Sequence, residues 1–228
     1  MFGEILPIRT PGVTFHVLRD GDELVLVDTG MIKGRACLQA ALRHVGWEDL
    51  PIKTILLTHG HLDHIFNTHD FAQRTDAQVL APQLDHEHYV GEYPYRGLAR
   101  ICGALEALGR AVLRFKAFTV DRYLSDGDVI DVWDGLQAVH LPGHTVGHMG
   151  YYSRSRRLLF SGDLMASYWH AAYTPPAYFN SCPEQYPTSF TRILKLDIDQ
   201  VYPNHCHKPA PEFHCRRLKK LALKFCPV

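Results

Sequence analysis

The sequence has 228 residues, 46% of them hydrophobic and 21% charged, and its 24 basic side chains equal its 24 acidic ones. This length allows one large or two small domains with a sizeable core. The zero formal charge argues against a nucleic-acid partner. No run approaches the roughly 18 apolar residues of a membrane span, and no secretory signal is visible. We therefore expect a cytoplasmic protein with no membrane partner, whose six cysteines are free thiols.

The first part of the chain alternates strand-like and helical patterns. In order, we predict strands over 13–19 and 23–28, a helix over 35–45, and strands over 53–58 and 78–81. A loop rich in histidine follows the third of these strands, and Asp63 within it is expected to cap a short helix. This alternation is typical of an α/β protein.

Residues from about 85 to 118 are less regular, and we predict a helical, aromatic insertion there, with a helix over 98–112. Its polar run Asp85-His86-Glu87-His88 is expected to be an exposed turn rather than a metal site. Strands are predicted over 129–133, 136–141, 149–152, 157–160 and 198–202, and a helix over 211–225. No repeat or long linker divides the chain, so we predict a single domain over 1–228.

Side chains that can bind metal follow the ends of several predicted strands. The run from His59 to His64 places three imidazoles and a carboxylate directly after a buried strand, and these ligands suit a divalent metal such as zinc. His144, Asp163 and His205 follow later strands. We favour His205 over His207 because it comes directly after the strand end. Loops that leave the same edge of a layered α/β fold can converge on one site.

This series resembles the metallo-β-lactamase superfamily over about residues 13 to 207. The matching motifs are His-x-His-x-Asp-His at 59–64, Gly-His-Thr at 143–145, Ser-Gly-Asp at 161–163 and Pro-Asn-His at 203–205, with Asp28 as the first acidic motif. The resemblance implies an α/β fold, a four-layer αββα sandwich. It also implies a centre for two divalent metal ions, with zinc expected and manganese or iron as alternatives.

The resemblance assigns a role to each donor. His59, His61 and His144 would hold the first ion, Asp63, His64 and His205 the second, Asp163 would bridge them, and Asp28 would orient the histidine loop from behind. Seven donors exceed the four of a closed structural zinc site and suit two ions with open positions. Such ions, about 3.5–4 Å apart, can share a hydroxide that serves as nucleophile. Asp63 would orient it and pass its proton to the leaving group.

Within the superfamily, the chain is similar to the small lactonase and esterase branch, which includes acyl-homoserine lactone lactonases. Glyoxalase II has similar loops but adds a helical C-terminal domain. In the lactonases, a tyrosine shortly after the bridging aspartate helps to hold the oxyanion. Here position 166 is alanine, so we expect Tyr168 in this role, with Tyr173 as the alternative. The aromatic stretches 89–95 and 168–179 either wall an apolar pocket or pack around the insertion.

These observations predict a dinuclear metal-dependent hydrolase that cleaves an ester, lactone or thioester bond of a small-molecule substrate. One alternative is phosphodiester cleavage by the same centre. The other is a metal-bearing binding or regulatory protein with little turnover. A homodimer is left open.

Overall fold

A computed structural model of the chain describes residues 3–92, 95, 97–169, 171–208 and 210–226, and over these residues the strands form two six-stranded sheets. The first sheet contains, side by side, β1 (Ile5–Arg9), β2 (Thr14–Asp20), β3 (Glu23–Val27), β4 (Ile52–Leu56), β5 (Gln78–Pro82) and β6 (Arg122–Leu124). The second contains β7 (Val129–Ile130), β8 (Leu136–His140), β9 (Met149–Ser153), β10 (Leu158–Tyr168), β11 (Ala171–Tyr173) and β12 (Gln200–Cys206). The helices are α1 (Gly34–Val45), α2 (Leu62–Ile65), α3 (Thr68–Thr75), α4 (His86–Tyr89), α5 (Arg100–Leu113), α6 (Tyr186–Leu194) and α7 (Pro211–Phe225).

Both sheets mix parallel and antiparallel pairs. In the first, β2 pairs antiparallel with both β1 and β3, whereas β3, β4, β5 and β6 are mutually parallel. In the second, β7 to β11 pair antiparallel, and β12 lies parallel to β10. The carboxyl ends of β3, β4 and β5 therefore lie at one edge of the first sheet, and the loops that leave them are neighbours.

Both faces of each sheet are buried, because alternate side chains of a strand pack in different apolar clusters. In β3, Leu24 and Leu26 pack with residues of α1 and α3, whereas Val25 and Val27 face the second sheet. In β10, Leu159 packs in the cluster that holds α6 and α7, on the outer side of the second sheet. Because successive side chains of a strand point to opposite faces, these strands read as continuous apolar runs. The predicted α/β fold, a four-layer αββα sandwich, is confirmed.

Two expectations about the elements that carry donors were wrong. The strand predicted over 157–160 continues as β10 to Tyr168, because a bulge at Gly162, with φ of 51°, bends the chain and lets it resume pairing. The short helix after the histidine loop begins at Leu62, so His61 and not Asp63 occupies its N-cap position. Asp63 lies in the first turn, where a carboxylate is favoured by the helix dipole.

The remaining differences concern short or weakly patterned elements. The sequence patterns did not predict β1, β6, β11, α3 or α6, and the strand predicted over 129–133 is only two residues long as β7. Between β5 and β6, the predicted insertion contains α4 and α5, of which α5 is close to the helix predicted over 98–112. The extent of the single domain stays a prediction.

Candidate metal centre

The segment after β4 carries four of the predicted donors. The side chains of His59 and His64 are fully buried, His61 is 5% exposed, and Asp63 is partly exposed. The peptide that precedes them is fixed by Asp28, which follows the end of the neighbouring β3. The donors thus emerge at the edge where the parallel strands of the first sheet end, which is where sites form in layered α/β folds.

The second sheet supplies the other three donors. His144 lies in the loop after β8, Asp163 lies in the bulged part of β10, and His205 lies inside β12 near its end. Asp163 sits between the residues of β10 that pair with β9 and those that pair with β11. Its carboxylate therefore occupies a point where the strand changes partner, and it reaches the centre from the opposite sheet.

These donors meet in two groups of three. The ligand atoms of His59, His61 and His144 lie within 4.8 Å of one another, and so do those of Asp63, His64 and His205. Asp163 lies between the groups: its Oδ2 is 3.4 Å from His144 Nε2 and 3.1 Å from His205 Nε2, and its Oδ1 is 3.4 Å from His64 Nε2. The structure thus brings together all seven residues singled out in the sequence.

Several buried donor atoms at this centre have no hydrogen-bond partner. Among the described residues, these atoms include Nε2 of His59, His61, His64 and His144, and Oδ1 of Asp163. A buried polar atom without a partner is costly, and most proteins avoid it. Burial lowers the pKa of His59 and His61, with neighbouring histidines adding to the effect, so these imidazoles are neutral as metal ligands must be. Divalent cations fit these atoms.

Asp28 organises the histidine loop from behind the donors. Its Oδ1 accepts the backbone N–H of Thr58 at 2.7 Å. Its Oδ2 accepts hydrogen bonds from Thr58 Oγ1, His64 Nδ1 and Asn204 Nδ2, at 2.7 to 2.9 Å. Because His64 donates its Nδ1 proton to Asp28, the lone pair on Nε2 points to the centre. Such a carboxylate behind a ligating histidine fixes its tautomer and orientation.

Comparison with known proteins identifies the family of this chain. The family model described as metallo-beta-lactamase superfamily matches residues 9–205, a range that contains Asp28 and all seven donors. The chain belongs to the metallo-beta-lactamase superfamily. Its members bind divalent metals, typically two.

Relatives with curated names agree with this membership. A probable metallo-hydrolase from Bacillus subtilis is 32% identical over 168 residues, which are 70% of this chain and 64% of that protein, slightly less than two thirds. A hydroxyacylglutathione hydrolase from Haemophilus influenzae is 25% identical over 71% of each chain. A metallo-beta-lactamase family protein from Thermus thermophilus superposes with a TM-score of 0.73, at 23% identity, over 96% of this chain and 78% of its own. The two curated relatives are hydrolases by name, and the structure from Thermus thermophilus agrees with the fold.

Residues outside the predicted donor set hold His144 and Asp163 in place. His144 donates from Nδ1 to Asn180 Oδ1 at 3.0 Å, and Tyr186 donates to the same oxygen at 2.9 Å. His148 accepts the Asp163 backbone N–H at Nε2, at 2.9 Å. Burial lowers the pKa of His148 to about 3, which keeps that nitrogen free to accept. Asn180 stands in no recognisable motif, so the sequence could not point to it.

The prediction that Asp85 lies in an exposed turn is wrong. Asp85 and His88 are buried, and only His86 and Glu87 between them are exposed. The Asp85 carboxylate accepts the backbone N–H groups of Gly60 at 3.0 Å and Gly147 at 2.7 Å, and the Thr145 hydroxyl at 2.6 Å. Asp85 therefore joins the loop that carries His59 and His61 to the loop that carries His144.

Replacing Asp85 with asparagine should loosen both loops at once. The amide removes the negative charge and one acceptor, which leaves buried N–H or O–H donors unsatisfied. We expect the free energy of unfolding to fall by about 2–4 kcal/mol and metal affinity to fall roughly 10–100-fold. Denaturant titration and metal titration measure these effects. Glu87→Gln is the matched control and should change neither quantity, while equal effects in both variants would contradict the role of Asp85.

A cavity of about 390 Å³ opens onto the centre. His61, Asp63, His144, Asp163 and His205 form its floor. The other residues of its wall are Met31, Leu62, Cys102, Leu105, Glu106, Gly109, Ala166, Tyr168, Pro175, Pro176 and Phe179. No lysine or arginine contributes to this wall among the described residues. The cavity is thus apolar above its floor, as expected of a pocket for a small organic ligand.

The aromatic stretches 89–95 and 168–179 were predicted either to line an apolar pocket or to pack around the insertion, and they differ in this respect. In the second stretch, Tyr168 and Phe179 line the cavity. In the first, Tyr89 is fully buried in the core beside the first sheet and Tyr95 stacks on the ring of His61, while Tyr93 lies outside the described residues. His207 belongs to neither donor group; its ring packs against those of Tyr168 and Trp169.

Over the described ranges, none of the helices has the length and apolar character of a membrane span.

Proposed function

We propose that this protein is a dinuclear metal-dependent hydrolase that cleaves an ester, lactone or thioester bond of a small molecule with an apolar acyl group. The observation that supports this most is the apolar cavity directly above the two donor groups. A substrate held there would lay its acyl chain against the wall and its carbonyl against the floor. Burial of each methylene contributes about 0.8 kcal/mol, so chain length would strongly affect binding.

The charge of the cavity separates this proposal from its alternatives. The wall contains no lysine or arginine within the described part of the chain, whereas Glu106 and the floor carboxylates are acidic. A phosphodiester would bring further negative charge into this site, where only the metal ions and no basic side chain would balance it. An ester or lactone carries no charge at its reacting group. We therefore favour carboxylic esters and lactones over phosphodiesters.

Metal ions would be held as the donor groups suggest. One ion fits His59, His61 and His144, the other fits Asp63, His64 and His205, and Asp163 reaches both. Bound there, divalent cations supply Lewis-acid activation of water and of the substrate carbonyl. Nitrogen and oxygen donors of this kind suit zinc, and manganese or iron can replace it.

Asp63 is the carboxylate best placed to handle a proton. It is partly exposed, lines the cavity, and its Oδ2 lies 3.4 Å from His205 Nε2. Asp163, in contrast, is almost fully buried. A carboxylate with one face open to the cavity can orient a water molecule and then pass its proton to the departing oxygen or sulfur. We assign this role to Asp63.

Tyr168 is our candidate for stabilising the oxyanion. Its hydroxyl lies 3.3 Å from His205 Nδ1 and it lines the cavity, whereas Tyr173 is 54% exposed and does not contribute to the wall. If His205 uses Nε2 for metal, its Nδ1 donates to the Tyr168 oxygen. The Tyr168 hydroxyl proton is then free to donate to the substrate oxygen.

The test is a panel of substrates with the metal-loaded protein. It contains p-nitrophenyl esters of increasing acyl length, acyl lactones, S-lactoylglutathione and bis-p-nitrophenyl phosphate. We expect kcat/KM to rise up to about fourfold per added methylene until the cavity is full, and to be far lower on the phosphodiester. Tyr168→Phe should lower kcat about tenfold or more with little change in KM.

Other outcomes of the panel are equally informative. The relative from Haemophilus influenzae is named a hydroxyacylglutathione hydrolase, so preference for S-lactoylglutathione is the second candidate function. That preference would contradict the apolar-acyl proposal. A protein that binds two metals and turns over none of the panel would instead indicate a binding or regulatory role. His61→Ala controls for contaminating hydrolases, since its loss of a donor should abolish any genuine activity.

A further inference from the structure

The outward side of α5 is apolar along its whole length. Its exposed large side chains are Leu98, in the turn just before the helix, and Ile101, Leu105, Leu108 and Val112, and each is between 56% and 69% exposed. Their spacing of three or four residues places them on one stripe, which we call the apolar face of α5. An exposed stripe of this size is uncommon on a protein with no partner.

The inward side of α5 carries a buried ion pair instead. Glu106 and Arg110 are 8% and 4% exposed, and Arg110 Nη2 lies 2.6 Å from Glu106 Oε1. Arg110 also donates to the backbone carbonyls of His88 and Gly60, and Tyr95 donates to Glu106. These bonds fix the rotation of the helix about its axis. The apolar face cannot turn inward without breaking a buried ion pair, which is strongly destabilising.

The exposed charged residues within α5 and just after it are positive. Between residues 97 and 120 the only acidic residue is the buried Glu106, whereas Arg100, Arg114 and Lys116 are exposed. Arg114 and Lys116, at the carboxyl end of α5, also line a second cavity of about 390 Å³ together with Lys33 and Arg35. One acid, Asp70, lies in that cavity, where it is bonded to Arg74 and lies 3.9 Å from Arg35. An apolar stripe with cations at both ends complements a surface that is apolar inside and anionic outside.

We propose that the apolar face of α5 docks on an anionic lipid surface, with Arg100, Arg114 and Lys116 among the phosphate groups. A second copy of the chain fits this face less well. A two-fold contact between two α5 helices would be isologous, so antiparallel packing would place Arg100 of one copy beside Arg114 of the other. Parallel packing would place like charges together as well. The proposal replaces the expectation that no membrane is involved, which considered only membrane spans.

Docking in this orientation bears on the substrate. Leu105 belongs both to the apolar face and to the wall of the active-site cavity. A lipid-bound molecule would therefore hold the cavity mouth next to the acyl layer, where apolar esters are concentrated. This consequence rests on the proposed function, but docking itself does not, and a binding assay without substrate tests it separately.

The experiment uses the full-length metal-loaded protein and sedimentation with vesicles. We expect binding to vesicles that contain phosphatidylglycerol, little binding to pure phosphatidylcholine, and loss of binding as salt is raised. The double variant Ile101→Glu, Leu108→Glu should weaken binding about tenfold or more. Lys116→Glu should weaken it about fivefold or more. Neither residue of the double variant lines the active-site cavity.

Leu223→Glu is the matched control, because Leu223 is an exposed leucine of α7 at 52% exposure. It should bind vesicles as the unchanged protein does. Metal content and far-ultraviolet circular dichroism verify that each variant is folded. The proposal is overturned if the unchanged protein ignores phosphatidylglycerol vesicles, or if the double variant binds them equally well. It is also overturned if light scattering shows a dimer that the double variant dissociates while vesicles have no effect, since a second copy then covers the face.

Discussion

Replacing Asp163 with asparagine should lower kcat/KM on the best ester about a thousandfold or more. The Asp163 carboxylate contacts histidines of both donor groups. Burial alone would raise its pKa, but the neighbouring His205 and His64 outweigh burial and hold the pKa well below its usual range. The residue is therefore an anion. An amide of the same size keeps the packing but cannot share negative charge between two cations.

Metal analysis and steady-state kinetics of this variant are read together. We expect fewer metal ions per chain than in the unchanged protein, with a far-ultraviolet circular dichroism spectrum that is retained. Asp70→Asn is the matched control, because Asp70 is an exposed carboxylate bonded only to surface arginines. It should leave metal content and rate unchanged. Activity of Asp163→Asn within tenfold of the unchanged protein, with two ions still bound, would show that Asp163 bridges nothing.

Chelation should lower the melting temperature by roughly 8–16 °C. A ligand present at a thousand times its dissociation constant stabilises a fold by about 4 kcal/mol, and each kcal/mol moves the midpoint by roughly 2–4 °C at this size. Without metal, the unpartnered imidazole nitrogens of four histidines stay buried. Differential scanning fluorimetry with and without a chelator measures the shift, and added zinc should restore the original midpoint.

The shift in melting temperature caused by the chelator should also depend on pH. Burial opposes the charged form of His64, but Asp163, Asp63 and Asp28 outweigh it and raise the pKa of this imidazole well above its usual value. Protons therefore compete with metal at His64, and the metal-dependent part of the melting temperature should shrink as pH falls. A double variant, His144→Ala with His205→Ala, removes one donor from each group. A chelator effect that persists at full size in this variant would mean that the stabilising metal binds elsewhere.

Most of the donor set could be predicted because it is written in short motifs. His59, His61, Asp63 and His64 are neighbours in the chain, and His144, Asp163 and His205 each stand in a motif of three residues. The β-strands that position these donors are buried on both faces. Each strand is therefore an apolar run in the sequence, and its position could also be predicted. The prediction failed where the chain departs from a regular pattern: the Gly162 bulge lets β10 run on through Asp163.

Asp85 and Asn180 show what local patterns cannot reveal. Asp85 contacts Gly60 and Gly147, which lie 25 and 62 residues away along the chain, and Asn180 supports His144 from 36 residues away. A polar run such as Asp85-His86-Glu87-His88 is exposed in most proteins, because buried charge is costly unless paired. The partners of Asp85 are backbone N–H groups of two distant loops, and no local sequence feature indicates them.

By itself, the sequence determined the fold class, the family resemblance and the seven candidate metal donors, because each depends on residue types at short, regular spacing. Only the tertiary structure decided that Asp85 joins the donor loops, and that Tyr168 lines the cavity whereas Tyr173 does not. It also decided that α5 turns Glu106 and Arg110 inward and its leucines outward. The physical reason is that burial and pairing of polar groups depend on segments far apart in the chain, and these meet only when both sheets pack.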